Sequence, residues 1–223
     1  MNSNEQKESM KNAFLSKKLF YPNERVIAFL AKYYSNIKDN FLLNALDIGC
    51  GNGRHLNLLL DYNLNTYGID FLKDAVDNSS EIIFNRTSNT DRVFCGDYYN
   101  KYDNETFDII ICLGSIFYHE VDIIQRDLID INRIMKPGGR LFIDFRTNED
   151  SMNGKGKKIN EYSFILDERT NEYCSILYTF LSQEVSSDLL IAAGFSIDYI
   201  ERSDFWKNNL KDRHSWWYYS VKK

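Results

Sequence analysis

The chain has 223 residues, of which 43% are hydrophobic and 26% charged, a balance typical of a globular protein and too apolar for a disordered one. The 32 acidic and 27 basic residues leave a net charge of −5, which removes the simplest argument for a nucleic-acid partner, a basic surface. The four cysteines form no close pair and the three histidines are dispersed, so no metal site is expected. This length predicts one domain with additions.

The chain shows no targeting or membrane signal. Residues 1–11 are polar and charged, without the apolar segment of a signal peptide. No stretch approaches the roughly 18 apolar residues of a membrane-spanning helix. We expect a cytoplasmic protein with reduced thiols and no membrane partner.

The first forty residues predict a helical extension. Residues 1–20 are polar and rich in lysine, which fits a loosely packed helix. Pro22 suits the first turn of a further helix, and apolar residues recur at helical spacing from Val26 to Ile37. We therefore assign residues 1–40 to an N-terminal helical extension.

Strand and helix patterns alternate from residue 41 to residue 145. The run 107–113 (FDIIICL) is almost continuously apolar, as expected for a strand covered on both faces. Such repeats predict an α/β fold with a parallel sheet and helices on both of its faces. The predicted strands are 42–48, 66–70, 92–96, 107–113 and 140–145, and the predicted helices are 54–62, 72–84 and 121–135.

The pattern changes after residue 145. A turn at 136–139 (KPGG) precedes the fifth strand, and residues 146–181 follow that strand as an insertion with a predicted strand pair at 162–166 and 174–180. Residues 182–223 close the chain with a helix over 186–193 and strands over 195–200 and 215–221. The sequence thus predicts one domain over residues 1–223.

One glycine-rich segment carries most of the functional information. Residues 47–53 (DIGCGNG) follow a strand and precede a helix, where glycines permit a sharp turn and close approach to a ligand. A dinucleotide fingerprint would place a third glycine at position 54, but this residue is Arg54. The pattern therefore disfavours a nicotinamide-dependent dehydrogenase.

The segment and its spacing resemble the class I S-adenosylmethionine-dependent methyltransferases that act on small molecules. The resemblance is strong over residues 41–145 and weaker over 186–221. Three further motifs support it: Asp70 at the end of the next strand, residues 95–98 (CGDY) after the third strand, and the turn at 136–139. It implies a Rossmann-like, seven-stranded, mostly parallel sheet with an antiparallel closing strand, and an enzyme that uses S-adenosyl-L-methionine.

The resemblance also implies roles for individual residues in the cofactor-binding core, residues 41–145. Asp47 would orient the loop or meet the cofactor's ammonium, Asp70 would hold the ribose, and Leu113 would lie beside the sulfonium. Phe71 departs from the small polar residue usual in the family. The residues assigned to the cofactor are Asp47, Gly49, Gly51, Gly53, Asp70, Phe71, Asp97, Tyr98, Leu113 and Tyr21, with Asp97 and Tyr98 at the adenine.

Motifs that are absent narrow the methyl acceptor. The segment after the fourth strand, 113–119 (LGSIFYH), lacks the prolines of enzymes that methylate base amines, and neither a Pro-Cys nucleophile nor paired arginine-methyltransferase glutamates are visible. With the acidic net charge, this favours an oxygen or nitrogen of a small molecule. The insertion and the ending HSWW are similar to enzymes that modify sugars or surface-polysaccharide precursors. A protein or RNA methyltransferase and a non-catalytic cofactor-binding subunit remain alternatives.

Candidate residues for the acceptor follow the fourth and fifth strands. His119 lies just past strand four, and an imidazole pKa of about 6.5 suits a general base, although a local structural role is the alternative. Tyr118 and Tyr21 are further pocket candidates. Arg146 and Lys155, in the insertion on the expected acceptor side, are candidates for binding an acceptor anion, with a solvated lysine loop as the alternative. The oligomeric state is not predicted.

Overall fold

The computed structural model describes residues 8–12, 19–37, 39–89, 91–96 and 101–223, with the backbone alone for residues 171–172. The strands are β1 (Asn44–Ile48), β2 (Asn65–Asp70), β3 (Val93–Cys95), β4 (Phe107–Cys112), β5 (Met135–Thr147), β6 (Lys157–Lys158), β7 (Ser163–Ile165), β8 (Leu177–Leu181), β9 (Ser196–Lys207) and β10 (Asp212–Lys222). The helices are α1 (Glu24–Tyr34), α2 (Arg54–Asp61), α3 (Lys73–Thr87), α4 (Val121–Ile134) and α5 (Gln183–Ala192).

Seven strands form the predicted mostly parallel sheet. Strands β3, β2, β1, β4 and β5 lie side by side in this order and are parallel. Strand β10 then pairs antiparallel with β5, and β9 pairs antiparallel with β10. The expected Rossmann-like sheet with an antiparallel closing strand is therefore confirmed. The carboxyl ends of the five parallel strands meet at one edge of the sheet.

Helices cover both faces of this sheet. On one face α1 buries Val26, Phe29 and Leu30, and the Phe29 ring stacks on Phe142 of β5 with centroids 4.9 Å apart. On the other face α4 buries apolar residues at helical spacing, including Leu128. Asn23 caps α1 by accepting the N–H of Arg25, and α1 ends at Tyr34, three residues before the predicted end. Most of the predicted helix over 1–20 lies outside the described residues.

The closing hairpin and β5 are longer than predicted. Strands β9 and β10 pair along nearly their whole length, from Ser196↔Lys222 to Lys207↔Asp212. The predicted turn at 136–139 belongs to β5, where Gly138 has a φ of +81° and the register with β4 shifts. Glycine absorbs this irregularity without ending the strand.

The insertion adds a small sheet at the carboxyl end of β4. Strands β6, β7 and β8 are antiparallel neighbours, and β8 joins the main sheet by pairing parallel with β5 at Arg146 and Thr147. The β4–β5 pairing ends earlier, at Cys112↔Ile143. Thus β4 and β8 pair one after the other along the same edge of β5. Buried aromatic and aliphatic residues, among them Phe117 and Tyr178, join the small sheet to the segment after β4.

No helix in the parts of the chain that the structure describes is both long and apolar enough to cross a membrane.

Candidate active site

The loop after β1 contains a glycine that the packing requires. Gly49 has a φ of +72°, and its N–H donates to the Ile69 carbonyl at 2.8 Å. A β-carbon at Gly49 would lie only 2.7 Å from the Ser115 Oγ. The loop after β1 therefore lies directly against the segment after β4, and only glycine fits between them. Gly53, with a φ of +74° immediately before α2, is similarly confined by Ile82.

Asp70 braces the same loop from the end of β2. Its Oδ2 accepts the Gly51 N–H at 3.0 Å, and its Oδ1 accepts the Leu72 N–H at 2.9 Å. Burial raises the pKa of Asp70, while the two backbone donors favour its charged form. A carboxylate has about four lone-pair positions, so these two bonds leave acceptor capacity for further donors. The neighbouring Phe71 is 37% exposed at the rim.

Asp47 connects β1 to the helical extension through a histidine without a predicted role. The Asp47 carboxylate is buried, with Oδ1 3.6 Å from His55 Nδ1 and Oδ2 without a hydrogen-bond partner. His55 Nε2 accepts the backbone N–H of Asn23, the cap of α1, at 3.4 Å. A buried carboxylate oxygen without a donor is costly, so this position favours a ligand that donates to it.

Arg54 occupies the position of the missing third glycine. Its guanidinium donates to the Tyr21 carbonyl at 3.4 Å, and burial lowers the pKa of Arg54 while Asp47 and Asp144 oppose that shift. The Tyr21 side chain is 86% exposed. The structure therefore places the Tyr21 backbone at the site and its ring in solvent.

Asp144 of β5, for which the sequence predicts no role, lies beside the end of β4. Gly114 follows Leu113 with a φ of +70°, and its N–H donates to Asp144 Oδ1 at 2.8 Å. Asp144 is only 4% exposed, and burial raises its pKa to about 7. The sequence pattern that could have pointed to Asp144 is an acidic residue within the otherwise apolar run 141–145 (LFIDF). A β-carbon at Gly114 would meet no atom within 4 Å, so space is open beside it.

The expected adenine contacts, Asp97 and Tyr98, lie outside the described residues. The preceding Gly96 is described, and its N–H donates to the Asp70 carbonyl at 3.0 Å. Gly96 therefore lies next to Asp70, at the same edge of the sheet.

These features fit S-adenosylmethionine. The unpartnered Asp47 oxygen suits an ammonium donor, and the remaining acceptor capacity of Asp70 suits ribose hydroxyls. The glycine loop lets a ligand approach the backbone, and a β-carbon at Gly114 would meet no atom of the described residues within 4 Å.

His119 forms a dyad with a buried aspartate of α4. His119 Nδ1 lies 2.6 Å from Asp127 Oδ2; Asp127 is buried, whereas the His119 side chain is 49% exposed. Thr179 of β8 donates its hydroxyl proton to the His119 carbonyl at 2.6 Å. Because Nδ1 is engaged by Asp127, proton exchange with an acceptor would go through Nε2. No local sequence pattern points to Asp127, whose burial depends on tertiary packing.

Aromatic side chains gather next to this dyad. The Tyr178 hydroxyl donates to the Tyr118 hydroxyl at 3.3 Å, and the two ring centroids are 4.9 Å apart. Burial raises the pKa of Tyr118, so it stays protonated at neutral pH, and its hydroxyl proton is available for a hydrogen bond to a further group. We call Phe117, Tyr118, Tyr173, Tyr178 and Trp216 the aromatic cluster.

Arg146 lies buried within the aromatic cluster. Its guanidinium carbon is 3.9 Å from the Trp216 ring centroid, and its Nη1 donates to Asp150 Oδ2 at 2.7 Å. Lys155 instead pairs with Asp212 at 3.9 Å. The two predicted anion-binding cations thus have separate carboxylate partners. No group of three or more potential metal ligands occurs within the described ranges.

Comparisons with known proteins agree with this geometry. Residues 46–143 match a family model described as a methyltransferase domain. A search of curated proteins found no significant match. Solved structures are similar in fold: a Methanosarcina mazei protein described as an S-adenosylmethionine-dependent methyltransferase has 16% identity and a TM-score of 0.69, covering 87% of this chain and 96% of its own.

Two further structures extend the comparison. The Burkholderia thailandensis 1,6-didemethyltoxoflavin N1-methyltransferase, solved with 1,6-didemethyltoxoflavin and S-adenosylhomocysteine, is 15% identical with a TM-score of 0.66 and covers 100% of this chain and 91% of its own. The cyclase SpnF is 16% identical with a TM-score of 0.64, covering 98% and 93%. The match over residues 46–143, together with the fold and the glycine loop, supports a class I S-adenosylmethionine-dependent methyltransferase.

Proposed function

We propose that the protein transfers a methyl group from S-adenosylmethionine to an oxygen or nitrogen atom of a small molecule. The observation that carries this proposal is the aromatic cluster, which β8 and β10 bring onto the segment after β4. Aromatic side chains with a few polar groups are typical of small-molecule sites. The fold alone is not sufficient support for methyl transfer, since one of the similar structures is a cyclase.

The chain's own residues bind and orient the reactants. When bound, S-adenosylmethionine supplies an activated methyl group, so no covalent enzyme intermediate is needed. Asp70 and the glycine loop fix the cofactor side, and Asp47 offers its unpartnered oxygen to an ammonium donor. Alignment of the two reactants then supplies much of the rate enhancement.

His119 removes the acceptor's proton in this proposal. Asp127 holds the imidazole through Nδ1 and stabilises the imidazolium that forms when Nε2 takes a proton. Thr179 fixes the backbone of His119, so the insertion contributes to the placement of the base. The Tyr118 hydroxyl accepts a hydrogen bond from Tyr178 and, in this proposal, donates a hydrogen bond to the methyl acceptor, which it orients while keeping its proton.

The acceptor class rests on the same cluster. The Burkholderia thailandensis 1,6-didemethyltoxoflavin N1-methyltransferase binds 1,6-didemethyltoxoflavin, which supports a small molecule over a macromolecule here. Sugars and surface-polysaccharide precursors are the first acceptors to test, because their hydroxyl groups need a general base. The four free cysteines fit a reducing compartment such as the cytoplasm.

The proposal is tested by screening purified protein with S-adenosylmethionine against metabolite fractions, followed by nucleotide sugars, and measuring release of S-adenosylhomocysteine. We expect release with a small-molecule fraction and a much lower rate for His119→Asn. Release with tRNA or a protein fraction alone would overturn the small-molecule assignment. Tight binding of S-adenosylhomocysteine with no turnover in any fraction would favour the non-catalytic subunit.

A further inference from the structure

Asp144 is an ionisable residue in a buried part of β5. It lies on β5, on the same face of the strand as Phe142 and Arg146, and α1 and α2 cover this face of the sheet. Only 4% of the residue is exposed, and burying a carboxylate is costly unless it performs a task that an apolar residue could not. Neither the glycine loop nor the His119–Asp127 dyad uses it directly.

The partner of Asp144 is a single peptide group. Its Oδ1 accepts the N–H of Gly114 at 2.8 Å, directly after Leu113. In a planar trans peptide the N–H and the preceding carbonyl point in opposite directions, so the Leu113 carbonyl is turned away from Asp144. Because β4 lies between β5 and β1, the direction away from β5 leads toward the glycine loop after β1.

The conformation at Gly114 depends on this hydrogen bond. Gly114 has a φ of +70°, and a β-carbon built on it would meet no atom of the described residues within 4 Å. The neighbouring Ser115 lies against Gly49, which fixes the far side of the segment. Asp144 is therefore the group that sets the rotation of the 113–114 peptide.

Charged and titratable groups face Asp144 from several elements. Two guanidinium groups favour its charged form, and burial opposes it. The groups are Arg54 of α2, Arg146 of β5, Tyr218 of β10, Cys112 of β4 and Tyr118 after β4.

We propose that Asp144 is a positioning residue for the cofactor: it holds the 113–114 peptide so that the Leu113 carbonyl faces the glycine loop as an acceptor, and its charge attracts the cationic cofactor. The proposal concerns cofactor binding alone, so it stands or fails independently of the acceptor and of His119. It assigns a cofactor-directed role to β5, from which the sequence predicts none.

The first test is calorimetric binding of S-adenosylmethionine, which carries the sulfonium charge, between pH 5.5 and 8.5. Because burial raises the pKa of Asp144 to about 7, wild-type affinity should fall as the pH drops below about 7. Asp144→Asn should bind about tenfold more weakly at pH 8 and lack this pH dependence. Asp108→Asn is the matched control, since Asp108 at the other end of β4 also accepts a backbone N–H, from Asn44 at 2.8 Å. It should retain wild-type affinity and pH profile.

The second test needs no ligand. Hydrogen exchange of the Gly114 amide, followed by NMR, should be faster in Asp144→Ala than in wild type, because the acceptor is removed. It should be unchanged in Asp108→Asn. The proposal is overturned if Asp144→Asn binds within twofold of wild type with the same pH profile, or if Gly114 exchange is unaffected by loss of the carboxylate.

Discussion

The cofactor side and the acceptor side of the site are built in different ways. The cofactor side consists of backbone turns at the ends of β1, β2 and β4, braced by Asp70 and Asp144. The acceptor side consists of side chains from distant segments, such as Tyr118 and Tyr178, which are 60 residues apart. The first is a local product of strand–loop–helix units, whereas the second exists only after the insertion has folded back onto the sheet.

This difference separates two kinds of function. A site made of backbone turns fixes one ligand whose chemistry does not vary, and it tolerates little change at its glycines. A site made of side chains on an insertion can change its ligand without disturbing the sheet. We therefore expect substitutions on the two sides to affect different measurements.

Apart from substitution of His119 itself, the largest effect is expected for Asp127→Asn. An amide cannot stabilise the imidazolium of His119, so turnover should fall about a hundredfold, within the usual contribution of a general base. Affinity for S-adenosylhomocysteine should stay within threefold, as measured by calorimetry. The matched control is Asp122→Asn, an exposed carboxylate of α4 paired with Arg126, which should retain wild-type turnover. Equal losses in both variants would contradict the dyad.

The next effect concerns the glycine loop. Gly49→Ala introduces a β-carbon 2.7 Å from the Ser115 Oγ, so the loop must move and cofactor affinity should fall at least tenfold. Gly154→Ala is the matched control, because Gly154 also has a positive φ, +79°, but open surroundings. It should lose only stability, about 1–2 kcal/mol by denaturation. Unchanged cofactor affinity in Gly49→Ala would show that the loop does not hold the cofactor.

A smaller effect is expected at the aromatic cluster. Trp216→Leu removes the ring that lies over the Arg146 guanidinium, a contact of about 0.5–2 kcal/mol. The KM for the acceptor should rise severalfold while S-adenosylhomocysteine affinity is unchanged. A loss of cofactor affinity without a change in acceptor KM would show that Trp216 acts on cofactor binding and would contradict its assignment to the acceptor side.

The smallest effect is on folding stability. Folded Asp144 holds its proton up to about pH 7, whereas the unfolded chain releases it near pH 3.8, so wild-type stability falls as the pH rises between these values. Asp144→Asn lacks this fall, although its new amide donors offset part of the gain. Urea unfolding should show an advantage of the variant that grows from pH 5 to pH 7 and reaches about 1 kcal/mol. An advantage that shrinks with rising pH would contradict the burial of a charge at Asp144.

The local structure of the proposed cofactor side follows from the sequence more directly than that of the proposed acceptor side. Asp70 and the glycines at 49–53 carry short-range signals, because strand ends and turns are set by neighbouring residues. Asp127 has no such signal, since it is one polar residue on an amphipathic helix and its burial follows from tertiary packing. Asp97 and Tyr98 stay predictions, as they lie outside the described residues.

The acceptor side also shows why candidate cations are hard to interpret from sequence. Arg146 is predicted as a free anion receptor, yet its partner Asp150 lies only four residues away and pairs with it in the folded chain. The Tyr21 ring points to solvent because the hydrogen bond to Arg54 uses the backbone carbonyl. Both outcomes depend on how α1 and β10 pack, which local patterns do not encode.

The most direct test of the two-sided account measures S-adenosylhomocysteine affinity and methyl-transfer turnover in parallel for Asp70→Ala and His119→Asn. The account predicts at least tenfold weaker cofactor binding for Asp70→Ala, since charge-assisted hydrogen bonds are worth about 1.5–3 kcal/mol each. For His119→Asn it predicts turnover lowered by about 10²–10⁴ with cofactor affinity within threefold. Turnover of His119→Asn within threefold of wild type, or unchanged affinity in a folded Asp70→Ala, would contradict the account.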